Sequence, residues 1–261
     1  MKNRIDQLFS EKEAEILSIY LTAGYPGLND TPGLLEALQE HGADMVEIGI
    51  PFSDPLADGP VIQKSSLLAL QNGMSLDLLF SQLKGIRNTV DIPLVLMGYL
   101  NPVLQMGMEQ FLKNCRDTGI DGVIIPDLPP GEYESLYMEL FRSYGIYHTL
   151  LITPHTDEAR IKRIAALSEG FLYLVADAST TGARDSVGDH QKKYFQRLNA
   201  MNLPVPGLIG FGISNRETFK TACKYARGAI IGSAFIRALG AQNALSPEER
   251  VKQFIGEIRG S

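Results

Sequence analysis

The chain alternates short, nearly continuous apolar runs with stretches in which apolar residues recur every three or four positions. The runs are Ile16–Thr22, Met45–Gly49, Pro93–Met97, Gly122–Ile125, Ile146–Ile152, Phe171–Val175, Val205–Ile209 and Ala229–Ile231. Most are rich in Val, Ile and Leu without strict polar alternation, as in parallel strands covered by helices. Few of the connections offer the two-residue turn chemistry of antiparallel hairpins.

The helical periodicity falls between these runs. It predicts helices over Thr31–His41, Val61–Asn72, Leu76–Asn88, Glu109–Thr118, Glu132–Tyr144, Asp157–Ser168 and Asn215–Tyr225, the last with Ser214 as N-cap. Gly42, Gly119, Gly145 and Gly170 stand at or just past helix ends, where glycine is the usual stop. Ile5–Glu13 precedes the first strand and reads as an added helix on a barrel floor, Ala234–Leu239 as a short helix after the eighth strand, and Pro247–Ile258 as the last helix. Eight strands in βα order predict an α/β fold of the (β/α)8 TIM-barrel type, a single domain over residues 1–261. The alternative is an open doubly wound sheet. Such a sheet would normally carry a glycine-rich nucleotide turn after its first strand, and Thr22–Gly27 does not fit that spacing.

Composition narrows the function. The net charge of −6 and the lack of a basic cluster argue against nucleic acid as partner. Cys115 and Cys223 are far apart and fit free thiols in a reducing cytoplasm better than a disulfide or zinc site. Nothing near Met1 reads as a signal peptide, and no apolar run reaches membrane-spanning length. The four histidines lack ligand spacing and are expected at the surface or in loops.

Glycine marks a candidate anion site. Gly210–Ser214 follows the seventh strand, and Gly232-Ser233 follows the eighth and leads into the short helix. Barrels often bind phosphate at these loops, on backbone N–H groups and a helix N-terminus. Thr181-Gly182, after the sixth strand, is a third contributor. The same glycines could simply end strands.

Two carboxylates stand out. Glu47 lies in the middle of the apolar strand Met45–Gly49, where burying a charge is costly. Alternation puts it on one side with Met45 and Gly49. If that side faces the barrel, desolvation raises its pKa and suits it to general acid catalysis. The other reading is a structural ion pair, but no predicted strand supplies an inward Lys or Arg. Asp58 belongs to Pro51–Pro60, a loop stiffened by three prolines. Asp58-Gly59 by itself fits a plain turn equally well.

Glu47-Ile48-Gly49-Ile50-Pro51-Phe52-Ser53-Asp54-Pro55-Leu56-Ala57-Asp58-Gly59-Pro60 resembles the signature segment of the tryptophan synthase alpha chains. The resemblance extends through Tyr20–Gly27, Met97–Pro102, Asp121–Pro129, Phe171–Tyr173, Thr181–Arg184, Gly210–Ser214 and Ile231–Ala234. It implies a lyase of tryptophan biosynthesis that splits indole-3-glycerol phosphate into indole and glyceraldehyde 3-phosphate. By that resemblance Glu47 is the general acid, and Asp58 accepts the indole N–H. Tyr20, Met97, Tyr99, Ile124 and Phe211 line an apolar slot, and Tyr173 stands beside the glutamate. Thr181 orients the Asp58 loop, and Gly182, Phe211, Gly212, Ile213, Gly232 and Ser233 cradle the phosphate. The resemblance further implies no cofactor in this chain and a beta subunit, holding pyridoxal phosphate, as partner in an alpha2-beta2 heterotetramer. Pro51–Pro60, Tyr99–Pro102 and Asp127–Pro130 are its expected docking face. Ala176–Thr180 departs from the family pattern, and Asp177–Gln191 is expected to form a mobile lid.

Two other readings remain at this point. A Schiff-base aldolase would need an inward strand lysine, and a metal-dependent epimerase a His/Asp ligand set; neither is apparent. A non-catalytic binding module would have no need of both Glu47 and Asp58.

Overall fold

The computed structural model describes residues 3–176, 189–210 and 212–260. Its strands are β1 (Ile16–Thr22), β2 (Met45–Gly49), β3 (Leu94–Met97), β4 (Gly122–Ile124), β5 in two pieces (Tyr147–His148 and Leu151–Ile152), β6 (Leu172–Val175), β7 (Gly207–Gly210) and β8 (Gly228–Ile231). Every pairing is parallel, and β1 pairs with both β2 and β8. The first piece of β5 pairs with β4 and the second with β6, so the ring closes through β5. Between the pieces, the Thr149 N–H donates to Val123 O at 3.0 Å and Leu150 O accepts from the Tyr173 N–H at 3.0 Å. The expected run Ile146–Ile152 is thus one barrel stave that changes partner halfway.

The barrel has two apolar layers. Outward-facing strand residues such as Val46, Leu96 and Leu174 pack against the helices in one large core. Inward-facing residues form a second cluster of Ile16, Met45, Val95, Ile124, Tyr173, Val175, Leu208 and Ile230. Every strand is therefore buried on both faces, which accounts for the continuous apolar runs. The helix Arg4–Glu11 closes the floor of the inner cluster with Ile5, Leu8 and Phe9. Asn3 caps it, its side chain accepting from the Ile5 N–H. At its other end the Arg227 guanidinium donates to Phe9 O and Lys12 O, each at 2.9 Å. Those carbonyls are the ones a helix C-terminus leaves unpaired.

Helix ends follow the glycine signals. Gly119 (φ 77°) and Gly145 (φ 69°) take the left-handed conformation that stops a helix at C′ without a Cβ clash. Asn215, rather than Ser214, caps Arg216–Ala222, because its side chain reaches the Thr218 N–H in a reciprocal capping box. Two helices lie outside the predicted periodicity: Leu100–Met106, with Val103 as its buried residue, and Asp189–Ala200. The second takes the last three residues of the expected lid; residues 177–188 lie outside the described residues.

One histidine departs from expectation. His148, on β5, is fully buried, with its ring 4.3 Å from that of Tyr133 and 5.3 Å from that of Phe141. Tyr133 opens a π-helical stretch, Tyr133–Tyr137, inside the predicted helix Glu132–Tyr144. Burial lowers the His148 pKa to about 3, so it behaves as a neutral aromatic core residue.

Candidate active site

Both carboxylates stand at the C-terminal mouth of the barrel. The register sets Glu47 directly between Tyr20 on β1 and Val95 on β3. Glu47 is fully buried, and its side chain points to the interior as alternation predicts. The Ser18 hydroxyl donates to Oε1 at 3.2 Å; Oε2 is buried without a partner among the described residues. No Lys, Arg or His forms an ion pair with it among the described residues. Desolvation therefore raises its pKa to about 8, opposed by the Ser18 hydrogen bond. At neutral pH it is a carboxylic acid with a proton to give.

Asp58 sits in the loop between β2 and the helix Pro60–Gln71. The Asp58 N–H donates to Pro55 O at 3.0 Å, folding the loop back on itself. Tyr99, just past β3, holds it from the other side. Its hydroxyl donates to Asp58 Oδ2 at 2.9 Å and accepts from the Ala57 N–H at 3.0 Å. The Tyr99 ring also stacks on Phe52, centroids 5.3 Å apart. Below the loop, the hydroxyls of Thr22 and Ser65 meet at 2.7 Å, tying β1 to the helix that the loop enters. Burial raises the Asp58 pKa to about 6, opposed by the Tyr99 hydrogen bond. Asp58 is thus mostly ionised at neutral pH, whereas Glu47 is mostly protonated.

Tyr20, Met97, Asp58 and Tyr99 line one crevice with Ile50 and Pro126. Met97 joins the inner cluster to a smaller one of Tyr20, Ile62 and Ile236. Ile124 and Tyr173 belong to the inner cluster itself. Two glycines make room for the tyrosines. A side chain at Gly49 would run into the Tyr20 phenol, and one at Gly210 into the Tyr173 ring.

The expected phosphate residues gather at the ends of β7 and β8. Gly212 takes φ 77° with open space around it, and Ile213 is buried. The helix Ser233–Leu239 starts on Gly232, which offers no side-chain cap, so Ser233 opens a helix whose first N–H groups no side chain among the described residues caps. Thr181, Gly182 and Phe211 lie outside the described residues. No cluster of His, Cys, Asp and Glu among the described residues could hold a metal ion.

One contributor escaped the sequence reading, and a second was read only for its ring. Ser18 reads as one more strand residue, although alternation does place it on the face of Tyr20. Tyr99 is expected in an apolar slot and does line the crevice; its hydroxyl, in addition, holds Asp58.

A parallel barrel with an uncompensated inward acid, a second carboxylate at the mouth and an uncapped helix start beyond β8 defines a class: barrel enzymes that act on small molecules at the loops after their strands. The model of the tryptophan synthase alpha chain family matches residues 6–259. Relatives of that name from Flavobacterium johnsoniae and Flavobacterium psychrophilum are 52% and 54% identical, each over 98% of this chain and covering 100% and 99% of theirs. The solved alpha subunit from Legionella pneumophila superposes with a TM-score of 0.90 at 32% identity, covering 100% of this chain and 98% of that one. A chain of the tryptophan synthase complex from Pyrococcus furiosus gives 0.87 at 33%, over 96% of this chain and 100% of that one. The chain belongs to the tryptophan synthase alpha chain family and is a lyase that cleaves indole-3-glycerol phosphate.

Proposed function

We propose that Glu47 and Asp58 divide the cleavage between them. The observation that carries this reading is the pair of environments: one acid buried without a cation, the other held at the mouth by a tyrosine. Glu47 delivers its proton to C3 of the indole ring. Asp58, ionised, accepts the indole N–H and stabilises the positive charge that then develops on nitrogen. The C–C bond to the glycerol phosphate breaks as the adjacent hydroxyl loses its proton, and the Glu47 carboxylate left by the first step is the base. Electrons return to the ring, giving indole, and the aldehyde leaves as glyceraldehyde 3-phosphate.

Tyr20, Met97, Tyr99 and Ile124 form the apolar slot for the ring, with Phe211 as a further wall, and Tyr173 stands beside Glu47. The phosphate binds Gly212, Ile213, Gly232 and Ser233; the family resemblance adds Gly182 to that set and Thr181 to the Asp58 loop, both outside the described residues. Open backbone N–H groups at Gly232-Ser233 support that placement.

The chain itself uses no cofactor: both carboxylates do their work as a protonated and an ionised acid. Indole passes to a beta subunit, which carries the pyridoxal phosphate, in an alpha2-beta2 assembly. Solved neighbours that are tryptophan synthase complexes support the partner. So do Leu56, 90% exposed in the Asp58 loop, and the half-exposed Leu104 on the helix after Tyr99. The setting is the cytoplasm, where free thiols such as Cys115 and Cys223 persist.

The test is an indole-release assay on indole-3-glycerol phosphate with and without a beta subunit. Glu47→Gln is expected to lose about 10²–10⁴-fold in turnover, the usual worth of one acid–base group. Asp58→Asn should be severely impaired, with phosphate binding intact in both. Near-normal turnover of Glu47→Gln would sink the assignment.

A further inference from the structure

We propose that Ser18 is the positioning residue that decides which oxygen of Glu47 carries the reactive proton. The inference rests on Glu47 as the acid and adds what fixes its orientation.

Ser18 pairs in register with Met45, one inward position below Glu47 and nearer the floor. Its hydroxyl donates to Glu47 Oε1 at 3.2 Å, and both residues are fully buried. The contact draws one carboxyl oxygen down and to the side, against β1. Oε2 is left buried with no partner. A neutral carboxyl group has one proton to place. An oxygen that already accepts a hydrogen bond is the better carbonyl oxygen, so the proton belongs on Oε2. No acceptor among the described residues holds it there, which leaves it available for transfer.

The surroundings single out Ser18. On β1 the inward neighbour above it is the Tyr20 phenol, and on β3 Val95 lies opposite Glu47. Tyr173 faces Glu47 from β6, and its phenol, like that of Tyr20, is held neutral by burial. Asp58 is the nearby charged group. None of these is a cation that could set the carboxyl orientation or stabilise its ionised form. Ser18 acts in both states. Before transfer it donates to the carbonyl oxygen. As the Oε2–H bond breaks and the C3–H bond forms, the same hydroxyl donates to the new carboxylate and lowers the cost of its charge. The carboxylate then takes up the substrate hydroxyl proton, and the acid is restored.

Ser18→Ala should separate this role from packing. Without the hydroxyl the buried carboxylate loses its hydrogen bond, and the Glu47 titration should move up by about one pH unit. Two readouts report it on the whole chain. Difference infrared spectroscopy follows the protonated Glu47 carbonyl band against pH, the band being identified by its loss in Glu47→Gln. The pH profile of turnover should show its alkaline limb displaced by the same amount, with kcat reduced about tenfold and KM little changed. Ser18→Thr, which keeps a hydroxyl, should return both. A chain in which Ser18→Ala leaves the band and the limb where they were overturns the proposal. So does one in which kcat falls with no displacement, since that is what a packing defect alone would do. Should Glu47→Gln prove active, the acid assignment fails, yet the infrared titration still decides whether Ser18 governs the carboxyl.

Discussion

Two buried carboxylates in this barrel have opposite surroundings. Asp121, at the floor, is 4% exposed and meets Arg4 at 3.0 Å and Arg87 at 2.5 Å. It also accepts the Leu94 N–H at 2.9 Å, at the start of β3. Glu47, nearer the mouth, is equally buried and has a serine instead of an arginine. The floor acid is compensated and holds β3, β4 and the N-terminal helix together. The mouth acid is left uncompensated, and the burial that makes its charged form costly is what keeps a proton on it near neutral pH. A buried carboxylate is thus read by what is beside it, not by its burial.

Exchanging each acid for its amide should break the comparison cleanly. Glu47→Gln is expected to cost turnover, as above, while gaining stability at alkaline pH. The sign follows from the shift. The folded-state pKa of about 8 lies above the ordinary 4.5, so between those values the folded chain keeps a proton that the unfolded chain releases. Stability therefore falls as pH rises through that window, by up to about 1.4 kcal/mol per pH unit. Below it the group contributes nothing. Urea unfolding at pH 5 and pH 8.5 should show the parent losing stability between the two and the amide variant losing less. Equal losses would mean that Glu47 is not buried as an acid.

Asp121→Asn should do the reverse. Removing the charge leaves Arg4 without its ion pair and the well-buried Arg87 with only the carbonyls of Gly119, Val90 and Ile92, and a broken buried pair costs about 3–5 kcal/mol. Because Arg4 is 39% exposed, the lower end is expected. Midpoints of urea unfolding should fall while the indole-release rate per folded molecule is retained. Loss of turnover at full stability would place Asp121 in the chemistry and erase the contrast.

The two acids also set the pH profile. With the proposed roles, Glu47 protonated and Asp58 ionised, turnover should rise as Asp58 ionises near pH 6 and fall as Glu47 deprotonates near pH 8. Initial rates across pH 4.5–9.5 test this. A flat profile up to pH 9.5 would contradict the Glu47 environment.

How much of this the sequence held depends on what kind of signal each feature leaves. Strands β1 and β2 were legible to the residue, because burial on both faces leaves an unbroken apolar run. The stave β5 was legible as a run but not as two pieces, since its change of partner is a matter of closure and not of local chemistry. His148 was misplaced because a histidine reads as polar until packing removes its water. The helix Leu100–Met106 was hidden by Pro102, which sits in its first turn where a missing N–H is tolerated. At the site, Glu47 was visible as an acid out of place in an apolar run. Asp58 was visible only through resemblance, because a carboxylate in a turn is ordinary. Ser18 and the Tyr99 hydroxyl left no mark: their meaning is a hydrogen bond to a residue 29 and 41 positions away.

That last contact gives the smallest and most discriminating change. Tyr99→Phe removes one oxygen and keeps the ring that stacks on Phe52. The Asp58 carboxylate loses a donor and the Ala57 N–H an acceptor. Hydrogen bonds to a charged group are worth about 1.5–3 kcal/mol, and water at this half-open loop should replace part of that. Turnover is expected to fall about tenfold. Since the Tyr99 hydroxyl lowers the Asp58 pKa, its loss should move the acid limb of the profile upward while the alkaline limb, which belongs to Glu47, stays in place. Movement of both limbs would show that the two acids titrate as one coupled pair and not as independent groups. Movement of neither would reduce Tyr99 to the apolar wall that its ring alone suggested.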